Sequence, residues 1–147
     1  VFSPTIMISA WDSLTYVILY TLLMWMPYML AQFYSNGTAK LLFTDGMFKK
    51  MSYDDAKLMR VPPPAWAERA KAGHYNAVEN LVCFAPLVLI AGDKGINVDL
   101  PALAYLIGRL VHFPAQAIGP HLPMLRTAAF AVSWASCIAM GAMIIMK

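Results

Sequence analysis

Two groups of residues that could bind a ligand recur at helical spacing within otherwise apolar stretches of the chain. In the segment from Glu68 to Phe84, one face of an α-helix, about 100° wide, contains Arg69, Ala72, Asn76, Glu79, Asn80 and Cys83. Further along, intervals of four, three and four residues separate Tyr105, Arg109, His112 and Gln116. Side chains at these intervals project from one side of a helix. Two polar stripes in one small helical protein are expected to meet.

The residue types in these stripes suit two different arrangements. In a structural arrangement, Glu79 pairs with Arg109 inside the protein and Asn76 satisfies neighbouring polar groups, because charges within membrane spans are costly and face the interior. In a binding arrangement, the stripes line a pocket for a zwitterionic or anionic ligand, since a guanidinium pairs bidentately with carboxylates and Glu79 can accept from an ammonium. The spacing favours neither arrangement. The sequence has no Cys/His/Asp/Glu cluster typical of a metal site, and we predict no bound metal.

The segments that carry the stripes have the composition of membrane-spanning helices. The 147-residue chain is 60% hydrophobic and 13% charged, with a mean hydropathy of +0.58, whereas soluble domains are about 45–50% apolar and about 25% charged. A helix needs about 20 mainly apolar residues to cross the hydrocarbon core. The sequence therefore predicts an all-α, integral membrane four-helix bundle, formed by a single domain over residues 1–147. We expect spans at about 9–33, 65–91, 100–118 and 124–146, with Pro27 kinking the first.

A long loop over about 34–64 separates the first two predicted spans and carries five cations, Lys40, Lys49, Lys50, Lys57 and Arg60. The positive-inside rule places this loop in the cytoplasm and both termini outside the cytoplasm. We favour a bacterial inner membrane. The eleven Lys and Arg residues are scattered between apolar spans and form no basic patch, so the expected partners are membrane lipids and no nucleic acid.

The segment from Pro64 to Leu87 resembles the MAPEG family, the membrane-associated proteins of eicosanoid and glutathione metabolism. The family's hallmark is Glu-Arg followed by Ala-His-x-Asn-x-x-Glu-Asn and an aromatic residue, matched here by Glu68, Arg69, His74, Asn76, Glu79, Asn80 and Phe84. The resemblance continues in Trp25, Pro27 and Tyr28, in Gly108-Arg109-x-x-His112, and in Leu125 to Thr127. It covers nearly the whole chain.

The resemblance implies a four-helix protomer assembled as a homotrimer, with glutathione bound between protomers near the cytoplasmic face. It implies that Arg69, Asn76 and Glu79 hold the carboxylates and amine of glutathione. Arg109 and His112 would contribute from the third helix, and Arg126 with Thr127 would lie over the sulfur. A guanidinium beside a thiol favours the thiolate. The implied activity is that of a membrane-bound glutathione transferase or peroxidase acting on apolar electrophiles or lipid hydroperoxides.

Three positions depart from the pattern of glutathione-using members, one of which is Gly73 in place of the Ala of the hallmark. Such relatives usually have a second Arg where this chain has Ala72, and some have a Tyr where it has Gln116. One lost charged hydrogen bond lowers affinity about ten- to a hundredfold. The alternative function is therefore a non-catalytic accessory subunit of a larger membrane complex, with the long loop as a docking surface for other membrane subunits. A binder of a lipid- or quinone-like ligand is the third hypothesis.

Overall fold

The computed structural model describes residues 8–35, 63–119 and 121–147 of the chain. Its helices, in chain order, are α1 (Ala10–Leu23), α2 (Met26–Ser35), α3 (Ala65–Asp93), α4 (Asp99–Ile118) and α5 (Pro123–Ile145). Every regular element in these ranges is helical, which confirms the predicted all-α bundle. Most of the predicted loop over 34–64, from Asn36 to Pro62, lies outside the described residues.

Three segments are long and apolar enough to cross a membrane, namely Ala10–Phe33, Ala65–Asp93 and Pro123–Ile145. Helix α4 has 20 residues, enough for a length of about 30 Å. It is not among the three apolar segments because its polar stripe interrupts the apolar sequence. It packs against α1, α3 and α5. Large apolar side chains cover the outside of the bundle, among them Val82, which is 70% exposed. A continuous apolar exterior is typical of a surface that faces lipid, and the protein is an integral membrane protein.

The first span is interrupted where the sequence predicts a kink. Helix α1 ends at Leu23 and α2 begins at Met26, because Pro27 has no N–H with which to continue the helical pattern. The Trp25 N–H donates to the carbonyl of Leu22 at 3.4 Å. The carbonyl of Thr21, which an unbroken helix would pair with Trp25, is thereby left for another donor.

Local sequence fixes the ends of the helices. Asp12 donates its backbone N–H to Ser9 Oγ at 3.1 Å, and Ser9 donates its own N–H to the Asp12 carboxylate at 3.3 Å, a reciprocal capping box. The Ala10 N–H donates to Asp99 Oδ1 at 2.7 Å, which joins the start of α1 to the start of α4. Pro123 opens α5, where its missing N–H has no partner to lose.

A close approach of α4 to α5 sets the orientation of the second polar stripe. A Cβ on Gly108 would clash with Ser133 Oγ and lie 2.9 Å from the carbonyl oxygen of Ala129, so only a glycine permits this separation. About one turn earlier on α4, the Tyr105 ring stacks on Phe84 of α3 with centroids 3.9 Å apart. Helix α4 is thus fixed with its stripe between α3 and α5.

Candidate functional site

The two polar stripes meet where α3 contacts α4, as their spacing predicts. Arg109 donates Nη1–H to Asn76 Oδ1 at 2.8 Å, and its side chain is only 2% exposed. The guanidinium carbon lies 5.1 Å from the Tyr105 ring centroid and 5.6 Å from that of Phe130, within the range of cation–π attraction. Arg109 therefore links the helices beneath the surface.

The pairing of Arg109 with Glu79, which belongs to one of the two arrangements that the sequence leaves open, is not found in the described part of the chain. Three residues advance a helix by about 300°, which turns Glu79 about 60° away from Asn76, and its side chain is exposed. Nε and Nη2 of Arg109 are buried and have no hydrogen-bond partner in the described part of the chain. The shorter amide of Asn76 is the group that reaches the guanidinium.

An open groove with a volume of about 440 Å³ lies across α3, α4 and α5. Its lining residues are Ala72, Tyr75, Asn76 and Glu79 from α3, His112 and Gln116 from α4, and Arg126 from α5. The side chains of Ala72, Tyr75, Glu79 and Arg126 are exposed, whereas His112 is buried. The groove therefore presents a carboxylate and a guanidinium on one surface. Across the described residues, no group of three or more His, Cys, Asp or Glu side chains could hold a metal ion.

The polar groups of the groove are oriented by their own hydrogen bonds. Arg126 donates Nη1–H to Gln116 Oε1 at 3.3 Å, which leaves its other guanidinium hydrogens for a ligand. Asn76 accepts from Arg109 through Oδ1, so its NH₂ group is left to donate. Glu79 can accept from an ammonium group. These donors and this acceptor together suit a zwitterionic ligand.

Three of the predicted site residues are absent from the groove lining. Arg109 is buried beneath Asn76, and the other two bond elsewhere. Arg69 donates Nε–H to the carbonyl of Ala117 at 3.0 Å and Nη2–H to that of Ile118 at 3.5 Å, so it satisfies the free carbonyls at the end of α4. Thr127 donates its hydroxyl to the carbonyl of Pro123 at 2.9 Å, within its own helix. Both side chains have structural roles in this arrangement.

Tyr75 is a groove residue that the sequence reasoning missed. It lies three residues after Ala72 and four before Glu79, so the same helical spacing that identified the stripe also selects Tyr75. Its side chain is 50% exposed. The aromatic ring adds an apolar wall to a groove whose other side chains are mostly polar.

Comparison with known proteins identifies the family. The model of the MAPEG family matches residues 13–146, which include every groove residue. The chain belongs to the MAPEG family. No curated protein and no solved structure gives a significant match. Membership makes this MAPEG protein a membrane protein of the eicosanoid and glutathione metabolism type.

The groove of this MAPEG protein contains part of the site that the resemblance implies. Asn76, Glu79, His112 and Arg126 line it. The other implied residues are Arg69, Arg109 and Thr127, and each forms a hydrogen bond outside the groove lining. Arg69 bonds to the end of α4, Arg109 bonds to Asn76 from below, and Thr127 bonds within α5. Ala72 lies in the groove at the position where glutathione-using relatives usually carry an Arg.

Proposed function

We propose that this MAPEG protein uses glutathione as a transferase or peroxidase toward apolar electrophiles or lipid hydroperoxides. The observation that supports the proposal is the groove in which Glu79, Arg126 and the Asn76 amide share one open surface. Glutathione carries an ammonium and two carboxylates at neutral pH. In the proposed complex, Glu79 accepts from the ammonium, and the Asn76 amide donates to a carboxylate.

Arg126 is the residue proposed to act on the thiol. Its guanidinium is exposed and uses one N–H to reach Gln116, so further donors can stabilise a thiolate. The thiolate then attacks an electrophile and forms a thioether, and any leaving group departs to solvent. In the peroxidase reaction the sulfur bonds to one oxygen of a hydroperoxide, the O–O bond breaks, and the other oxygen takes a proton and leaves as an alcohol. The thiol of a second glutathione then converts the sulfenic acid into glutathione disulfide and water. Thr127 is proposed at most to position Arg126, because its hydroxyl is bonded to the carbonyl of Pro123.

The proposed assembly is a homotrimer in which a neighbouring copy closes the groove. Four of the seven lining side chains are exposed in a single chain. A second wall would exclude water and strengthen the charged contacts. Measuring the mass of the extracted protein tests this stoichiometry, and a monomer that still binds glutathione would contradict it.

The proposed orientation places the chain in a bacterial inner membrane with both termini outside the cytoplasm. The distribution of cations between the loops supports it. Reporter fusions at Val1 and Lys147 test it: a reporter active only on the periplasmic side is expected at both ends. Activity in the cytoplasm at either end would reject this topology.

Calorimetric titration with glutathione tests the proposed activity. The purified protein is titrated to millimolar glutathione, and the near-ultraviolet absorbance of the bound thiolate is followed in parallel. We expect Arg126→Gln to lower affinity by about tenfold or more and to abolish the thiolate signal. Lys94→Gln removes an exposed cation from the turn after α3 and is the matched control. Absence of binding by the unsubstituted protein at millimolar glutathione would reject the proposal.

A non-catalytic accessory subunit is the second candidate. Arg126 is the one Arg or Lys among the groove-lining residues that the structure describes, because Arg69 bonds to the end of α4 and Arg109 is buried. A single guanidinium is then available to a ligand that has two carboxylates and a thiol. Native mass spectrometry after gentle extraction distinguishes the candidates: an accessory subunit carries other polypeptides with it, and a bare assembly of this chain counts against that role.

A further inference from the structure

A second polar cluster lies on the opposite side of α3 from the groove, where α2 contacts it. Lys71 donates Nζ–H to Tyr28 Oη at 3.3 Å, and Gln32 donates Nε2–H to the same oxygen at 3.0 Å. The Lys71 ammonium also lies 4.8 Å from the Tyr28 ring centroid and 5.9 Å from that of Tyr75. Because the Tyr28 oxygen accepts twice, its own hydroxyl hydrogen is left to donate.

The cluster contains more hydrogen-bond donors than acceptors. The Lys71 ammonium has three hydrogens, of which Tyr28 receives one. Glu68 lies one turn earlier on α3 and interacts with Lys71 electrostatically, but the described part of the structure shows no ion pair between them. Among the described residues, two ammonium hydrogens of Lys71 and the hydroxyl hydrogen of Tyr28 have no acceptor, and together they match a ligand that offers anionic oxygens.

The break in the first span packs against α3 and places Tyr28 beside it. His74 Nδ1 lies 3.0 Å from the Thr21 carbonyl oxygen, which has lost its helical partner at that break. The Trp25 ring centroid lies 4.9 Å from that of His74 and 5.1 Å from that of Tyr28. These contacts hold the start of α2 next to the part of α3 that carries Lys71.

The depth of the cluster in the membrane favours a lipid headgroup as its ligand. Helix α3 has 29 residues, or about 44 Å, close to the roughly 40–45 Å of a bilayer with its headgroups. Lys71 lies six residues after Ala65, about 9 Å along the axis, near the border between the headgroups and the hydrocarbon. Side chains tilt toward the start of a helix, so the ammonium reaches the headgroup layer. Trp66, 45% exposed near the start of the same helix, is typical of the headgroup region.

We propose that Lys71 and Tyr28 bind the phosphate of an anionic phospholipid in the leaflet at the start of α3. The ammonium and the hydroxyl donate to two phosphate oxygens. The apolar side chains of Leu23 and Met26, more than half exposed and deeper in the membrane than Tyr28, contact the acyl chains. The formal charge of +3 on the chain favours an anionic over a zwitterionic headgroup.

Native mass spectrometry of lipid binding tests this site. The purified protein is titrated with phosphatidylglycerol and, separately, with phosphatidylcholine of the same acyl chains. We expect a preference for phosphatidylglycerol that Lys71→Gln reduces about fivefold and Tyr28→Phe reduces about two- to fivefold. Lys71→Arg is expected to retain the preference, which separates loss of the site from loss of folding.

Two matched variants and one competitor complete the experiment. Lys94→Gln removes an exposed cation at the other end of α3 and is expected to leave the preference unchanged, and Glu68→Gln is expected to leave it unchanged or to raise it. The proposal is overturned if Lys71→Gln keeps the preference of the unsubstituted protein, if Lys94→Gln loses as much, or if inorganic phosphate displaces the lipid. None of these outcomes depends on whether glutathione binds in the groove.

Discussion

Replacing Asn76 by Leu tests whether the buried Arg109 depends on a single amide. The substitution removes the oxygen that accepts from Arg109 Nη1 at 2.8 Å and keeps a side chain of similar size. Nε and Nη2 of Arg109 already have no hydrogen-bond partner among the residues that the structure describes. In Asn76→Leu the guanidinium would retain only its contacts with the rings of Tyr105 and Phe130.

The expected loss of stability follows from the charge and the burial of Arg109. Hydrogen bonds between neutral side chains across membrane helices average about 0.6 kcal/mol, but a bond to a charged group is worth about 1.5–3 kcal/mol. Removing one partner of a buried ion pair costs about 3–5 kcal/mol, which is an upper limit here because Asn76 is neutral. With Arg109 2% exposed, we expect Asn76→Leu to lower the free energy of unfolding by about 2–4 kcal/mol.

The matched control is the same substitution one turn further along α3. Asn80 donates Nδ2–H to the backbone carbonyl of Asn76 at 2.7 Å, which is a bond within one helix, so Asn80→Leu should cost about 1 kcal/mol or less. Unfolding is measured by titration with a denaturing detergent and by thermal melting in nanodiscs. Asn76→Asp supplies a carboxylate to Arg109 and is expected to restore much of the stability. Equal losses for Asn76→Leu and Asn80→Leu would refute this account of Arg109.

Three further substitutions follow from contacts away from the Asn76–Arg109 bond, each followed by the same unfolding assays. Gly108→Ala is expected to cost about 1–3 kcal/mol by forcing α4 from α5, whereas Gly141→Ala, whose Cβ would meet only Leu87 at 3.9 Å, should be neutral or stabilising. Arg69→Gln is expected to lower stability by about 1–2 kcal/mol, because it loses the bond of Arg69 to the end of α4. The calorimetric affinity for glutathione should not change. A tenfold weaker affinity would show that Arg69 contacts the ligand. His74→Leu should cost about 1 kcal/mol through its lost contact with the break in the first span, and an unchanged melting temperature would contradict that role.

The helical periodicity of the sequence was enough to predict the fold and the contact between the two polar stripes. Apolar runs predicted helices, and Asn76 and Arg109 fell on facing stripes because 3.6 residues per turn fixes which side of a helix each occupies. Which pair would bond could not be predicted. Asn76 and Glu79 share one stripe, but the 60° between them decides that one points inward and the other toward the surface.

The role of Arg69 could not be predicted from the sequence because it depends on where another helix ends. Gly119 adopts a φ of +93°, and a Cβ there would lie 2.6 Å from Arg69 Nε. The turn after α4 can therefore come close to α3 only with glycine at this position. The carbonyls that this turn leaves free lie 48 and 49 residues from Arg69 along the chain, a separation at which helical spacing gives no information.

Ala72 is the position that best separates the two candidate functions. It is exposed and lines the groove with Asn76, Glu79 and Arg126, so an Arg placed there adds a second guanidinium without displacing a buried group. If the groove binds glutathione weakly for want of a carboxylate partner, Ala72→Arg should raise affinity by about ten- to a hundredfold in calorimetric titration.

Ala65→Arg is the matched control for this gain of affinity, because Ala65 is also exposed on α3 but does not line the groove. It adds the same charge to the same helix and should change glutathione affinity less than twofold, since an exposed charge outside the groove is screened by solvent. A gain specific to Ala72→Arg would mean that the groove keeps the geometry of a glutathione site and lacks one cation. Equal affinities for the two variants would mean that the groove is not organised around that peptide, which favours the accessory role.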